Sequence, residues 1–139
     1  ATPCPVHLAC HGHAADLDVG DAHLELSDGK IFAAELRRHP ILSPIVYVSA
    51  CESAKGMLVP GEATRGIAGA LIEGGAEHVV ATQWVLSDEQ APEMARHFWG
   101  ALEQGTAAEA ALQKARCCAT GVPGIWAGLE LHLGPVRTP

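Results

Sequence analysis

The stretch formed by residues 45–56, IVYVSACESAKG, decides how the rest of the chain is interpreted. It begins with four β-favouring residues, a pattern typical of a strand that is buried on both faces. Small residues follow, and Cys51 stands where such a strand would end. We therefore asked what else the chain would bring to that end of the strand.

Strand patterns alternate with helix patterns along the chain. Strands are predicted over residues 5–10, 23–26, 45–49, 78–83 and 125–133, and helices over the end of 31–39, then 62–73, 88–104 and 106–115. Ser27-Asp28-Gly29-Lys30 has the composition of a hairpin turn, and His11-Gly12-His13 is predicted to be a loop. Alternating strands and helices predict an α/β domain with a mostly parallel sheet that is covered on both faces.

The composition excludes several classes of function. The chain has 139 residues, of which 48% are hydrophobic and 18% charged, as in one globular domain. Its net charge of −7 argues against nucleic acid or an anionic membrane as the main partner. Five cysteines without scaffold-like spacing indicate reduced thiols and a cytoplasmic location. No membrane span or signal peptide is visible.

The first residues, ATPCP, include no methionine and no leader, and they run directly into an apolar segment. We therefore expect a single domain over residues 1–139 that forms the C-terminal fragment of a larger protein.

Two chemically reactive residues follow predicted strands. His11 follows the strand that ends at Cys10, and Cys51 follows the strand that ends at Ser49. Ligands and catalytic groups of open parallel sheets lie at the carboxyl ends of the strands. If the two strands are neighbours, the imidazole can activate the thiol as a nucleophile. A lone cysteine is more often a buried packing residue, so its position alone leaves both interpretations open.

The sequence also resembles a known family. Residues 6–13, VHLACHGH, and 45–56, IVYVSACESAKG, resemble the two signature segments of the CHAT domain, a bacterial branch of the caspase-like peptidases related to separase. The resemblance continues through GEATRGIAGALIEGGAEHVVATQWVLSDEQA at 61–91 to WAGLELHLG at 126–134. It implies a three-layer caspase-like fold and a cysteine endopeptidase activity, that is, a hydrolase that needs no cofactor or metal.

The resemblance also implies individual roles. His11 would be the general base and Cys51 the nucleophile of a thioester mechanism, with the N–H groups of Gly12 and Cys51 as the oxyanion hole. Asp88 matches an acidic position that receives Arg or Lys at the cleavage site. It is also interpretable as the first helical residue after Ser87, where an acid stabilises the helix dipole. Trp84 would line the pocket or simply pack.

The resemblance has consequences for partners. Caspase-like folds usually have one or two strands and a helix before the His-bearing strand, and this sequence lacks them. One sheet edge is then expected to be open, which favours pairing into a homo-oligomer. Family members often carry upstream tetratricopeptide repeats, so such a domain is an expected partner besides a protein or peptide substrate.

Other interpretations compete with the peptidase. One is a catalytically silent caspase-like interaction module, and another is a small-molecule-binding domain; the intact His-Gly and Ser-Ala-Cys-Glu segments favour the peptidase. A zinc site is disfavoured because its candidate ligands lack a second spaced pair; they are Cys4, His7, Cys10, His11 and His13. Asp16, Asp18 and Asp21 lack the pattern of a calcium-binding loop. Cys117 and Cys118 are predicted to be packing residues at a helix end.

Overall fold

The computed structural model describes residues 3–14, 22–51, 53, 66–84, 86–118 and 128–135. These residues form seven strands: β1 Val6–Ala9, β2 His11–His13, β3 His23–Leu26, β4 Gly29–Phe32, β5 Val46–Ser49, β6 His78–Thr82 and β7 Leu129–Leu133. They also form four helices: α1 Ala33–Leu36, α2 Ile67–Glu73, α3 Gln90–Glu103 and α4 Ala108–Cys118. None of the helices in these described ranges is long and apolar enough to cross a membrane.

The central sheet has four strands in the order β1-β5-β6-β7. Strands β1, β5 and β6 are parallel, whereas β7 runs antiparallel to β6. The predicted mostly parallel sheet is thereby confirmed. Among the residues that the structure describes, β1 pairs within this sheet only with β5, so its outer edge has no strand beside it.

Alternating side chains of the strands build a separate core on each face of the sheet. In β5, Val46 and Val48 pack in the core that includes α2, whereas Tyr47 packs in the core that includes α3 and α4. The same alternation separates Val79 from Val80 in β6. All five side chains are at most 1% exposed, and burial of each such side chain stabilises the fold by about 1.5–3 kcal/mol. The molecule therefore has the three layers expected of a caspase-like fold.

Strand β2 corrects one expectation. Residues His11–His13 were predicted to be a loop, but they pair antiparallel with β3 in a second sheet of order β2-β3-β4. In the hairpin of β3 and β4, one edge of β3 would be unpaired, and the extended backbone after β1 pairs with this edge. A three-residue segment centred on glycine has little strand propensity of its own, so its partner determines its conformation.

Several helix boundaries differ from the prediction. Helix α3 begins at Gln90 rather than Asp88, and its N-cap is Glu89 rather than Ser87, although Ser87 Oγ accepts the N–H of Gln90 at 3.2 Å from the preceding turn. Helix α4 extends to Cys118, and both terminal cysteines are exposed rather than packed, because they lie on its solvent side. Helix α2 begins at Ile67, and the earlier part of the predicted helix lies outside the described residues.

Candidate active site

A cavity of about 570 Å³ lies at the carboxyl ends of β1, β5 and β6. This volume is in the range of small-molecule and peptide side-chain pockets, about 300–1,000 Å³. The cavity is lined by His7, Ala9, Cys10, His11, Ser49, Ala50, Cys51, Thr82, Leu86, Asp88, Ala91 and Pro92. His11, Cys51 and Asp88, which come from three separate parts of the sequence, thus face one space.

The register of β1 against β5 brings the imidazole and the thiol to the same rim. Ala9 pairs with Ser49, and the N–H of Cys10 donates to the carbonyl of Ser49 at 3.3 Å. His11 and Cys51 each lie two residues beyond that pair. The neighbouring strands required for a shared rim are therefore present.

A tight turn presents Cys51 to the cavity. The N–H of Ser53 donates to the carbonyl of Ala50 at 3.3 Å, which makes Cys51 the second residue of a four-residue turn. The hydroxyl of Thr82 donates to the same carbonyl, and the N–H of Thr82 donates to Ser53 Oγ at 3.0 Å. Ser53 and Thr82 are both almost fully buried. These two hydroxyls fix the backbone that carries the thiol.

The role of Ser53 and Thr82 was missed from the sequence. Their side chains lie 3.3 Å apart although 29 residues separate them along the chain. A buried hydroxyl must be hydrogen-bonded, because leaving it unpaired costs about 1–3 kcal/mol. The sequence did contain a signal for this pair. One hydroxyl-bearing residue stands shortly after Cys51, and the other stands at the end of a buried strand.

The second cysteine of the cavity differs from Cys51 in its surroundings. Cys10 packs partly against the core on the α2 face, and this burial raises the pKa of its thiol above the ordinary value. A raised pKa keeps the thiol protonated, and the protonated form is a poor nucleophile. Cys10 is therefore suited to packing rather than to attack on a substrate.

His7 is the second imidazole of the cavity. Its Nε2 lies 2.9 Å from Ser49 Oγ, and its ring meets that of Tyr47 edge-on with centroids 5.0 Å apart. Partial burial lowers the pKa of His7, which favours the neutral ring. A neutral ring hydrogen-bonded to Ser49 serves as part of the cavity wall.

Asp88 and Trp84 occupy different surroundings. Asp88 is exposed, lies in the turn before α3 and lines the cavity. Trp84 is 41% exposed and is not among the described residues that line the cavity. A Cβ built on Gly128 would lie 2.8 Å from its indole Nε1, so the ring lies over this glycine. The roles of both residues in substrate binding stay predictions, as does the oxyanion hole of Gly12 and Cys51.

The structure bears differently on the zinc and calcium sites that the sequence disfavoured. In the described part of the chain, the candidate ligand atoms of His13, His23 and Glu25 all lie within 4.8 Å of one another. The other zinc candidates do not belong to this cluster. Asp16, Asp18 and Asp21 lie outside the described residues.

Two comparisons with known proteins bear on this site. The model of one family, described as CHAT domain, matches residues 2–131 of the 139. The comparison with curated proteins found no significant match. The family match covers both segments that carry His11 and Cys51.

Proposed function

The chain belongs to the CHAT domain family, and on that premise we propose that it is a cysteine endopeptidase module. His11 and Cys51 form the catalytic dyad. The observation that carries the proposal is the cavity at the sheet edge, which both residues line together with Asp88. A cleft that contains a thiol, an imidazole and a carboxylate fits peptide hydrolysis better than a purely structural role.

The proposed reaction has two stages. His11 takes the proton of the Cys51 thiol, and the thiolate attacks the carbonyl carbon of the scissile bond. The N–H groups of Gly12 and Cys51 stabilise the resulting oxyanion. The C–N bond breaks as His11 protonates the leaving amine, and a thioester remains. His11 then deprotonates a water molecule that attacks the thioester, which releases the acid and restores the thiol.

Asp88 gives the proposed enzyme its preference for Arg or Lys before the scissile bond. Its carboxylate lies on the wall of the cavity. Among the described residues that line this cavity, the histidines are the only basic ones. A guanidinium or ammonium group of the substrate supplies the missing positive partner.

The test is covalent labelling by a peptidyl electrophile with Arg at its reactive end. We expect modification of Cys51 in the native chain, loss of labelling in Cys51→Ala, and labelling slowed about 100-fold or more in His11→Ala, because general-base assistance contributes about 10²–10⁴-fold. Cys10→Ser is the matched control, since it removes the other thiol of the cavity and should label at the native rate.

Labelling of Cys51 no faster than that of the exposed Cys117 would contradict catalysis by this chain. That result would instead favour a caspase-like interaction module that has kept the fold without the activity.

A further inference from the structure

Three side chains outside the cavity converge on one face of the sheet formed by β2, β3 and β4. His13 lies directly opposite His23 in the register of β2 and β3, and Glu25 lies two residues further along β3. Residues paired in this way, and residues two apart in a strand, share a face of the sheet. By the same register His11, which pairs with Glu25, belongs to this face too, and the imidazoles in contact with Glu25 are those of His13 and His23.

The distances among these groups approach those of a metal site. His13 Nε2 lies 3.5 Å from Glu25 Oε1, and His23 Nε2 lies 3.8 Å from the same oxygen. One ligand atom of each residue lies within 4.8 Å of the other two. Four-coordinate zinc with metal–ligand distances of about 2.0–2.1 Å holds its ligand atoms about 3.3–3.5 Å apart. Rotations of the His13 and His23 side chains must close the remaining gap and turn both Nε2 atoms towards one point.

We propose that His13, His23 and Glu25 bind a divalent transition metal ion, with Zn²⁺ as the preferred ion. Two imidazoles and a carboxylate suit zinc, whereas calcium and magnesium prefer all-oxygen sites. The two imidazole rings are already stacked, with centroids 4.7 Å apart and planes 18° apart. Three protein ligands leave the fourth position of the ion to water. This proposal does not depend on peptidase activity.

Lys30 is the natural competitor of the metal ion. Its Nζ lies 3.4 Å from Glu25 Oε1. A hydrogen bond from Lys30 is the largest of the influences that lower the pKa of Glu25, and the charges of His13, Lys30 and His23 add to it. A metal ion at Glu25 must overcome the repulsion of the ammonium group.

The experiment is a titration of the full chain with Zn²⁺ by calorimetry, repeated with Co²⁺ to read the ligand type from its absorption spectrum. We expect one ion per chain and a Kd at least tenfold weaker in His13→Gln and in Glu25→Gln, since even outer partners of a metal site contribute about 10–100-fold. The side chain of His13 is 52% exposed, so its replacement leaves the fold intact.

Two further variants make the result specific. His97→Gln is the matched control, because it removes another His–Glu pair, in which His97 Nε2 lies 3.9 Å from Glu93 Oε1 on α3; it should bind as the native chain does. Lys30→Met should bind about two- to fivefold more tightly, as expected for the loss of one exposed opposing charge.

Three outcomes would overturn the proposal. The first is no binding at submillimolar Zn²⁺, which would make the cluster an ion-pair network only. The second is equal affinity of His13→Gln, Glu25→Gln and His97→Gln. The third is a sulfur-to-cobalt charge-transfer band, which would place the ion on the thiols instead.

Discussion

Gly12 lies directly against the backbone of Cys51. A Cβ built on Gly12 would lie 2.7 Å from the carbonyl oxygen of Cys51 and 3.0 Å from the Cβ of Ala50. Both neighbours belong to the turn that presents the thiol, and that turn is fixed by buried hydrogen bonds. The absence of a side chain at residue 12 thus allows the two halves of the proposed dyad to approach each other.

Gly12→Ala is therefore expected to destabilise the protein. The added methyl group meets backbone rather than a flexible side-chain end, and such overpacking costs about 1–3 kcal/mol. Urea-induced unfolding measures the loss. Gly100→Ala is the matched control: a Cβ at this position of α3 has no atom within 4 Å, so the same substitution should stabilise by about 0.5–1 kcal/mol. Equal effects of the two substitutions would contradict the close approach.

Thr82→Val should loosen the turn of Cys51. Valine keeps the shape of threonine but cannot donate to the carbonyl of Ala50, which keeps only its bond from the N–H of Ser53, and it removes the hydroxyl that lies 3.3 Å from Ser53 Oγ. The loss of these buried hydrogen bonds costs about 1–3 kcal/mol. We expect this loss in urea-induced unfolding together with slower labelling of Cys51. Thr106→Val is the control, since among the described residues its hydroxyl accepts from Lys114 near the surface, and it should change neither quantity measurably. Native labelling in Thr82→Val would show that the hydroxyl does not position the thiol.

Asp88→Asn should change substrate preference rather than reactivity in general. A charge-assisted hydrogen bond contributes about 1.5–3 kcal/mol, so labelling by the Arg electrophile should slow about 10–100-fold. An electrophile with norleucine in place of Arg should react at an unchanged rate. Glu89→Gln provides the control, because Glu89 is the next exposed carboxylate along the chain and is not among the described residues of the cavity wall. Equal slowing with both electrophiles would contradict a role in specificity.

Stability should fall as the pH drops through the ordinary titration range of histidine, about 6.5. Burial lowers the pKa of His132, and the carboxylate of Glu130, whose Oε2 lies 3.5 Å from Nε2, partly opposes this effect. The unfolded chain then binds more protons than the folded chain near this pH, so the free energy of unfolding rises with pH. The measurement is urea-induced unfolding at pH 5 and at pH 7.5.

Two variants test the assignment to His132. His132→Gln removes the group and should reduce the difference between the two pH values. Glu130→Gln removes the opposing charge and should increase that difference. A pH dependence that is the same in both variants and in the native chain would assign the effect to other residues, among them His7, whose pKa burial also lowers.

Strongly periodic segments allowed much of the fold to be predicted. The continuous apolar run before Cys51 marked β5 to within one residue, and β7 was predicted as a strand, although its burial does not alternate as predicted, since Leu133 is 61% exposed. The rim shared by His11 and Cys51 followed from strand order, because parallel neighbours end at the same edge of a sheet. Tertiary partners decided the rest. Strand β2 required the edge of β3, and the hydrogen bonds of Thr82 required the turn at Cys51.

The cluster of His13, His23 and Glu25 shows the same limit. His13 precedes His23 by ten positions in the sequence, and only the pairing of β2 with β3 places it on one face with His23 and Glu25. Without that register, His13 was interpreted as an exposed loop residue or an outer partner of the dyad, or as one of the disfavoured zinc candidates near the N-terminus.

The hydrogen bond from Thr82 to Ala50 also sets an order of events during synthesis. Thr82 follows Ala50 by 32 residues, and chains emerge from the ribosome with the N-terminal part first. The segment that bears Cys51 is therefore released well before the strand that fixes its turn. The thiol acquires its final geometry only when β6 has joined the sheet, so a nascent chain does not yet hold the assembled cleft.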